Sequence, residues 1–221
     1  MNRTLTFLSL TLFCQILTGQ NTFQISIGSA QNEIARWVEI GNDNKSYVIC
    51  GQNDDKNVGI ILKLDDSGTV LWTREINSTD EGCELRSIVR SKNGDGYLLC
   101  GSTKSTGKLL FLKINEAGQI VWQKTLDDLG FCTALRITSI SDGYIIGGSS
   151  TNASSTFVAV KIDDSGDFKW ATDGWGGAYE IGCSVVEKPN GDLLVFGSAN
   201  GDGGIWILDK NGTFKNCKTI G

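Results

Sequence analysis

The chain has 221 residues, a formal net charge of −5 at pH 7, 28 glycines, one proline and no histidine. The absence of histidine excludes Ser-His-Asp and Cys-His catalysis and every histidine-ligated metal site. The negative net charge argues against nucleic acid and against an anionic membrane surface as partners. Pairs of acidic residues recur along the chain, for example at Asp54-Asp55 and Asp163-Asp164, but none matches the spacing of a calcium-binding loop. We therefore expect no metal and no cofactor.

The N-terminus has the organisation of a secretory signal. Arg3 precedes a mostly apolar run over residues 5–17, which is followed by the small residue Gly19. A basic tip, a short apolar run and a small residue at the cleavage point are typical of a signal peptide. The run is shorter than the roughly 20 residues that a membrane span needs. We therefore predict a signal peptide over residues 1–19, a single mature domain over residues 20–221, and a location outside the cytoplasm.

One pattern of strands is repeated four times along the mature chain. Each copy has an apolar strand ending in Gly, a second apolar strand ending in a polar turn with Gly, and a third strand, with a further strand upstream. A period near 48 residues built from short strands is typical of propeller blades. The sequence predicts an all-β protein, a β-propeller of four four-stranded blades at approximately 34–76, 84–126, 133–172 and 183–219. The turn glycines, spaced by 50, 48 and 46 residues, are Gly68, Gly118, Gly166 and Gly212.

Residues 23–28 form one more candidate strand than four blades can hold. In a closed propeller, such a terminal strand commonly completes the last blade and removes an exposed edge. The last copy already has its own outer strand at about 213–219. Two alternatives therefore stay open. Either one strand is displaced, or the ring is open and meets a second copy of the chain.

The segments 64–72, 114–122 and 162–170 each run from an apolar residue through Asp or Asn and a Gly turn to Trp. In this pattern the chain resembles the tryptophan-docked blades of quinoprotein-like propellers, and more closely the repetitive propeller proteins that bacteria export. The resemblance covers about residues 34–219. It implies a scaffold, and it does not imply quinone binding. The fourth copy departs from the pattern, with Asn216 in place of Trp and Ile207 in place of Lys.

Three arginines recur at intervals of 50 residues, on the upstream strand that lines the channel of a propeller. A guanidinium is a planar two-pronged donor, so three of them converging on the channel would suit a carboxylate or sulfate. The alternative is that each pairs with an acid of a neighbouring blade. Trp175, in a glycine-rich loop, is either a ligand-contacting aromatic or a packed residue. The candidate ligand-binding residues are Arg36, Arg86, Arg136 and Trp175, and no catalytic residue is assigned.

The remaining tryptophans, lysines and cysteines are expected to be structural, except for two tryptophans. We expect inter-blade packing for Trp72, Trp122 and Trp170, and an exposed ligand surface for Trp37 and Trp206, which break the repeat. The lysines at positions 63, 113 and 161 are expected to be solvated or paired with a cross-strand acid. Cys50 and Cys100 are expected to be buried free thiols, because facing sheets are too far apart for a disulfide. A bridge between two of Cys83, Cys132 and Cys183 stays open, as does glycosylation at Asn44, Asn77, Asn152 and Asn211.

These features favour a non-enzymatic interaction module that binds a protein or a glycan, with an anionic ligand as one option, outside the cytoplasm. A structural envelope or spacer protein is the first alternative. A glycosidase using two carboxylates is the second, since paired acids need no histidine. Propellers host all three kinds of function, so the fold does not decide among them.

Overall fold

The computed structural model describes residues 24–78, 81–127, 129–130, 132–150, 156–173, 180–199 and 202–220. Within these ranges the regular structure consists of β-strands, with no α-helix. The strands form four four-stranded sheets in which neighbours are antiparallel and follow one another in chain order. The prediction of an all-β propeller with four four-stranded blades is confirmed.

Each blade begins with an inner strand and ends with an outer strand at the sheet edge. Blade 1 has β1 Glu33–Ile40, β2 Tyr47–Asn53, β3 Val58–Leu64 and β4 Val70–Ile76; blade 2 has β5 Cys83–Arg90, β6 Gly96–Thr103, β7 Leu109–Asn115 and β8 Ile120–Leu126. Blade 3 has β9 Cys132–Ile140, β10 Gly143–Ser150, β11 Thr156–Ile162 and β12 Phe168–Asp173; blade 4 has β13 Glu180–Glu187, β14 Leu193–Ala199, β15 Asp202–Leu208 and β16 Phe214–Ile220.

The strand expected over residues 23–28 is not formed at residues 24–28, and Phe23 lies outside the described residues. The physical reason is that β16 already fills the outer position of blade 4, so the four-stranded blade has no place left for another strand. Ile25 and Ile27 instead border a cavity against blade 1. The predicted signal peptide also lies outside the described residues. No helix in the described ranges is long and apolar enough to cross a membrane.

The turns between the third and fourth strands have the predicted geometry. Gly68, Gly118, Gly166 and Gly212 have φ values of 87°, 75°, 73° and 82°, which L-residues with a Cβ rarely adopt. An Asp or Asn begins each turn. In the first, Asp65 Oδ1 accepts hydrogen bonds from the Ser67 and Thr69 amides at 2.9 and 2.8 Å. A hydrogen bond from the Ser67 hydroxyl, together with those from the two amides, lowers the pKa of Asp65.

A tryptophan on the outer strand of each of the first three blades packs on the turn glycine of the next blade. A Cβ placed on the glycine would lie 2.9, 2.6 and 2.6 Å from the indole ring in the three pairs. The predicted inter-blade packing is therefore confirmed. In blade 4 the corresponding residue is Asn216, which is exposed. The pairs are Trp72 with Gly118, Trp122 with Gly166, and Trp170 with Gly212.

Apolar residues of facing sheets form three core clusters, between blades 1 and 2, 2 and 3, and 3 and 4. Cys50 and Cys100 are buried free thiols, as predicted, and burial raises the pKa of both. Cys83 and Cys132 are also buried free thiols, so the bridge left open between them is not formed. The side chain of Cys183 lies outside the described residues.

Blade packing does not continue around a full ring. Packing joins the strands of blades 1 and 2, of 2 and 3, and of 3 and 4, whereas none of comparable extent joins the described strands of blade 4 to those of blade 1. The four blades therefore form an open arc, in which blade 1 and blade 4 each have one neighbouring blade.

Candidate functional site

The inner strands β1 and β5 each contain a β-bulge, and an arginine occupies it. In β1, Ala35 pairs with Gly51 and Trp37 pairs with Cys50, so Arg36 is the extra residue. In β5, Leu85 pairs with Gly101 and Ser87 pairs with Cys100, so Arg86 is the extra residue. A bulge redirects its side chain relative to the regular strand. The bulge also brings the backbones of the two paired strands close together, because a Cβ on Gly101 would lie only 1.9 Å from the Glu84 carbonyl oxygen.

Arg136 lies on the inner strand β9, as expected, but not at the equivalent register. Gly148 pairs with Ala134 and Gly147 pairs with Arg136, so the bulged residue of β9 is Leu135. Arg136 therefore corresponds to Trp37 and not to Arg36. The equal spacing of 50 residues conceals this difference because Gly51, Gly101 and Gly148, which mark the bulges, are not equally spaced.

The three arginines make different contacts. Arg86 Nε donates to Glu84 Oε1 of its own strand at 2.7 Å. Arg36 donates from Nε and Nη2 to Gln52 Oε1, both at 3.3 Å. The Arg136 guanidinium lies over the Trp37 ring, with its Cζ 4.1 Å from the ring centroid, a cation–π arrangement. These contacts stay within a blade or reach Trp37, and they differ from the expected pairing with an acid of a neighbouring blade.

A cavity of about 360 Å³ opens between the inner strands of blades 2 and 3, beside Arg86. Lys104 also contributes to it, and Lys104 Nζ lies 2.8 Å from Asp54 Oδ1 of blade 1, which lowers the pKa of Asp54. Gln52 Nε2 donates to the same Asp54 oxygen at 2.7 Å. A polar network thus connects Arg36 to Lys104. The cavity is lined by Glu84, Arg86, Ser102, Thr103, Lys104 and Thr133.

Sequence reasoning missed Lys104. By strand register Lys104 follows Thr103 as Asp54 follows Asn53, so the same position carries a cation in one blade and an acid in the other. A comparison of the copies position by position could have found this charge reversal, because opposite charges at equivalent places of adjacent blades can pair.

The lining of the cavity combines cationic and hydroxyl-bearing side chains. Arg86 and Lys104 bring two cations to the cavity, and Ser102, Thr103 and Thr133 also line it. A glycosidase needs two carboxylates, whereas Glu84 is the single carboxylate among the described residues that line this cavity. Nor does the described part of the chain contain a group of His, Cys, Asp or Glu residues able to hold a metal ion.

The remaining sequence candidates have mixed outcomes. Trp175 lies outside the described residues. Trp206 is 2% exposed and packs on Phe157 with ring centroids 4.7 Å apart, so the expectation of an exposed Trp206 is wrong. Trp37 is partly buried against the first core cluster. The three repeated lysines are buried and ion-paired rather than solvated, Lys63 with Glu116, Lys113 with Asp95, and Lys161 with Asp142.

No protein-family model matches the sequence, and no curated protein matches it at a significant level. Solved structures do share the fold. A 6-phosphogluconolactonase-like protein from Bacteroides uniformis is 12% identical, with a TM-score of 0.57 over 85% of this chain and 58% of its own. A second such protein, from Bacteroides fragilis, is 12% identical, with a TM-score of 0.53 over 86% of this chain and 58% of its own. Hydrazine synthase from Kuenenia stuttgartiensis is 14% identical, with a TM-score of 0.54 over 79% of this chain and 52% of its own.

The chain therefore spans little more than half the length of these structures. At such low identity the likeness shows the fold alone. It does not bear on export or on quinoprotein character, which stay predictions. The chain has the β-propeller fold.

Proposed function

We propose that this protein is an exported, non-enzymatic β-propeller that binds a protein or glycan through an anionic group, a carboxylate or a sulfate. The cavity beside Arg86 is the binding site. The observation that carries the proposal is the position of two cations, Arg86 and Lys104, in one cavity of about 360 Å³ in a chain with a net charge of −5. Glu84 and Asp54 each hold one of these cations, so an anionic ligand binds by competing with them for the hydrogen-bond donors of Arg86 and Lys104.

The chemistry of the lining supports this class of ligand. A guanidinium can hold a carboxylate or sulfate with two parallel hydrogen bonds, and an ammonium adds a point charge. Thr133 also lines this space, and its hydroxyl can donate to a further oxygen of the ligand. The cavity volume falls within the range of about 300–1,000 Å³ that is usual for small-ligand sites.

Glu84 competes with the ligand for Arg86. Its Oε1 lies 2.7 Å from Arg86 Nε, so part of the guanidinium is already engaged. Two substitutions of similar size therefore have opposite expected effects. Arg86→Gln removes the donor and should weaken binding by tenfold or more, whereas Glu84→Gln removes the competing charge and should strengthen binding.

The test is calorimetry and thermal shift with a panel of sulfated and carboxylated oligosaccharides, matched to neutral oligosaccharides of the same length. Wild type, Arg86→Gln, Lys104→Gln and Glu84→Gln are compared, and Lys218→Gln, an exposed cation on the outer strand of blade 4, is the control. The proposal expects loss of binding for the first two variants, a gain for Glu84→Gln and no change for the control. Equal binding of neutral and anionic sugars, or no binding to wild type, would overturn it.

A further inference from the structure

Every blade boundary inside the chain is built from the same two surfaces. The leading face of a blade is the sheet face that packs on the preceding blade, and the trailing face is the opposite one. In blade 2 the leading face includes Leu85, Ile88, Tyr97, Leu99 and Leu112, all buried against blade 1. The trailing face of blade 1 meets them with Val48, Cys50 and Ile61, which are fully buried.

The leading face of blade 1 has the same composition but no blade in front of it. Val38 occupies the register position of Ile88, Ile137 and Val185. Val38 is 54% exposed, whereas the other three are 1%, 3% and 3% exposed. Ile25 and Ile27 border this face without covering it. Together with them it forms a cavity of about 400 Å³ lined by Ala35, Val38, Tyr47, Ile49, Leu62 and Leu64.

The trailing face of blade 4 is also uncovered. Val186 is 50% exposed, and Phe196 and Ile205, which hold the places of the fully buried Cys50 and Ile61, are only partly buried. Ile207 lies where the other blades have their buried, ion-paired lysine. The fourth copy thus replaces the ion-paired lysine with Ile207 and the docking tryptophan with Asn216, and the centre of this end face stays apolar.

We propose that the leading face of blade 1 binds the trailing face of blade 4 from a second copy of this chain. Apart from the docking tryptophan, which Asn216 replaces in blade 4, the two end faces are the two halves of an interface that the chain already forms three times between its own blades. Contact between unlike faces is heterologous, and such contacts generate a ring if the rotation closes. Two open arcs of four blades give a closed ring of eight, within the usual range of about four to eight blades for propellers.

The experiment measures the mass of the protein in solution by light scattering and sedimentation, in wild type and in variants with a charge on one end face. Val38→Lys and Val186→Asp replace exposed residues on the leading and trailing faces, so both variants should fold. Leu71→Lys is the matched control, because Leu71 is 53% exposed and its counterpart Val121 in an internal blade is 56% exposed. Circular dichroism verifies the fold of each variant.

The proposal expects a dimer for wild type and for Leu71→Lys, and a monomer for Val38→Lys and for Val186→Asp alone. An equimolar mixture of the two charged variants should recover a dimer, since one of its two interfaces is then unmodified and the other joins Lys to Asp. A monomeric wild type would overturn the proposal. So would a dimer that Val38→Lys disrupts but Val186→Asp does not, because that result describes contact between like faces. A polymer would overturn the closed ring.

Discussion

Gly166 tests whether tryptophan docking between blades holds the fold together. Its φ is 73°, and a Cβ there would lie 2.6 Å from the Trp122 ring. Trp122 itself is fixed by an edge-on contact with Phe111, at a centroid separation of 6.1 Å, and by Lys124 over its ring. Gly166→Ala should therefore incur two costs, one from the backbone and one from the displaced indole.

The two costs can be separated by a control on the same chain. Gly94 has a φ of 68°, and a Cβ there would meet nothing within 4 Å. Gly94→Ala should lower the free energy of unfolding by about 1–2 kcal/mol, the cost of a left-handed conformation for an L-residue. Gly166→Ala should add about 1–3 kcal/mol of overpacking, for a total of about 2–5 kcal/mol.

The assay is urea denaturation followed by far-ultraviolet circular dichroism, with a double-mutant cycle. In the background of Trp122→Ala, where the indole is absent, the effect of Gly166→Ala should fall to that of Gly94→Ala. The cycle should give a coupling of about 1–3 kcal/mol. If Gly166→Ala and Gly94→Ala have equal effects within about 0.5 kcal/mol in the wild-type background, inter-blade docking does not contribute as argued.

Three further measurements test the interior. Tyr144→Phe removes the hydroxyl that accepts from the Lys92 amide of blade 2 at 2.9 Å, and it should lower the free energy of unfolding by about 1 kcal/mol; no change in the urea midpoint would contradict an inter-blade role. Lys113 and Lys161 lower the pKa values of Asp95 and Asp142, so the stability they contribute is present above about pH 4 and is lost as pH falls through the folded-state pKa values. Lys161→Met should therefore flatten the decline of the urea midpoint below about pH 4, and a decline as steep as in wild type would refute the assignment. Cys217 is exposed whereas Cys50 and Cys100 are buried, so a thiol reagent should label Cys217 in the native protein and the other two only after unfolding, and mass spectrometry that finds the three labelled at one rate would contradict this.

The blades could be predicted from the sequence because their signals are local. The turn glycines combine a short-range requirement for positive φ with a fixed place in the repeat, and the apolar runs around them give the strands. Trp206 shows what a residue-by-residue comparison of the copies adds. It pairs with Val195 as Leu62 pairs with Ile49 and Leu112 with Leu99, so its burial follows from the repeat, although tryptophan is unexpected there.

The candidate site could be predicted only in part because its geometry is set between blades. The sequence placed Arg36, Arg86 and Arg136 on inner strands, but the register of Arg136 depends on where the bulge of β9 falls. The bulge depends on strand pairing and not on the interval between arginines. The ion pair of Lys104 with Asp54 joins two blades, and no local pattern within either blade indicates it.

The core packing joins successive blades, and across the arc Arg136 of blade 3 contacts Trp37 of blade 1; the core packing has a consequence for how the molecule opens. When each unit contacts only its neighbours, stability is close to a sum of unit and nearest-neighbour terms, as in linear repeat proteins. Blades 2 and 3 are supported on both sides, whereas blades 1 and 4 are supported on one. Amide hydrogens should therefore exchange fastest in the terminal blades and slowest in the middle ones. Unfolding should start as fraying at the ends of the arc, and a partner that covers both ends would remove the places where fraying begins.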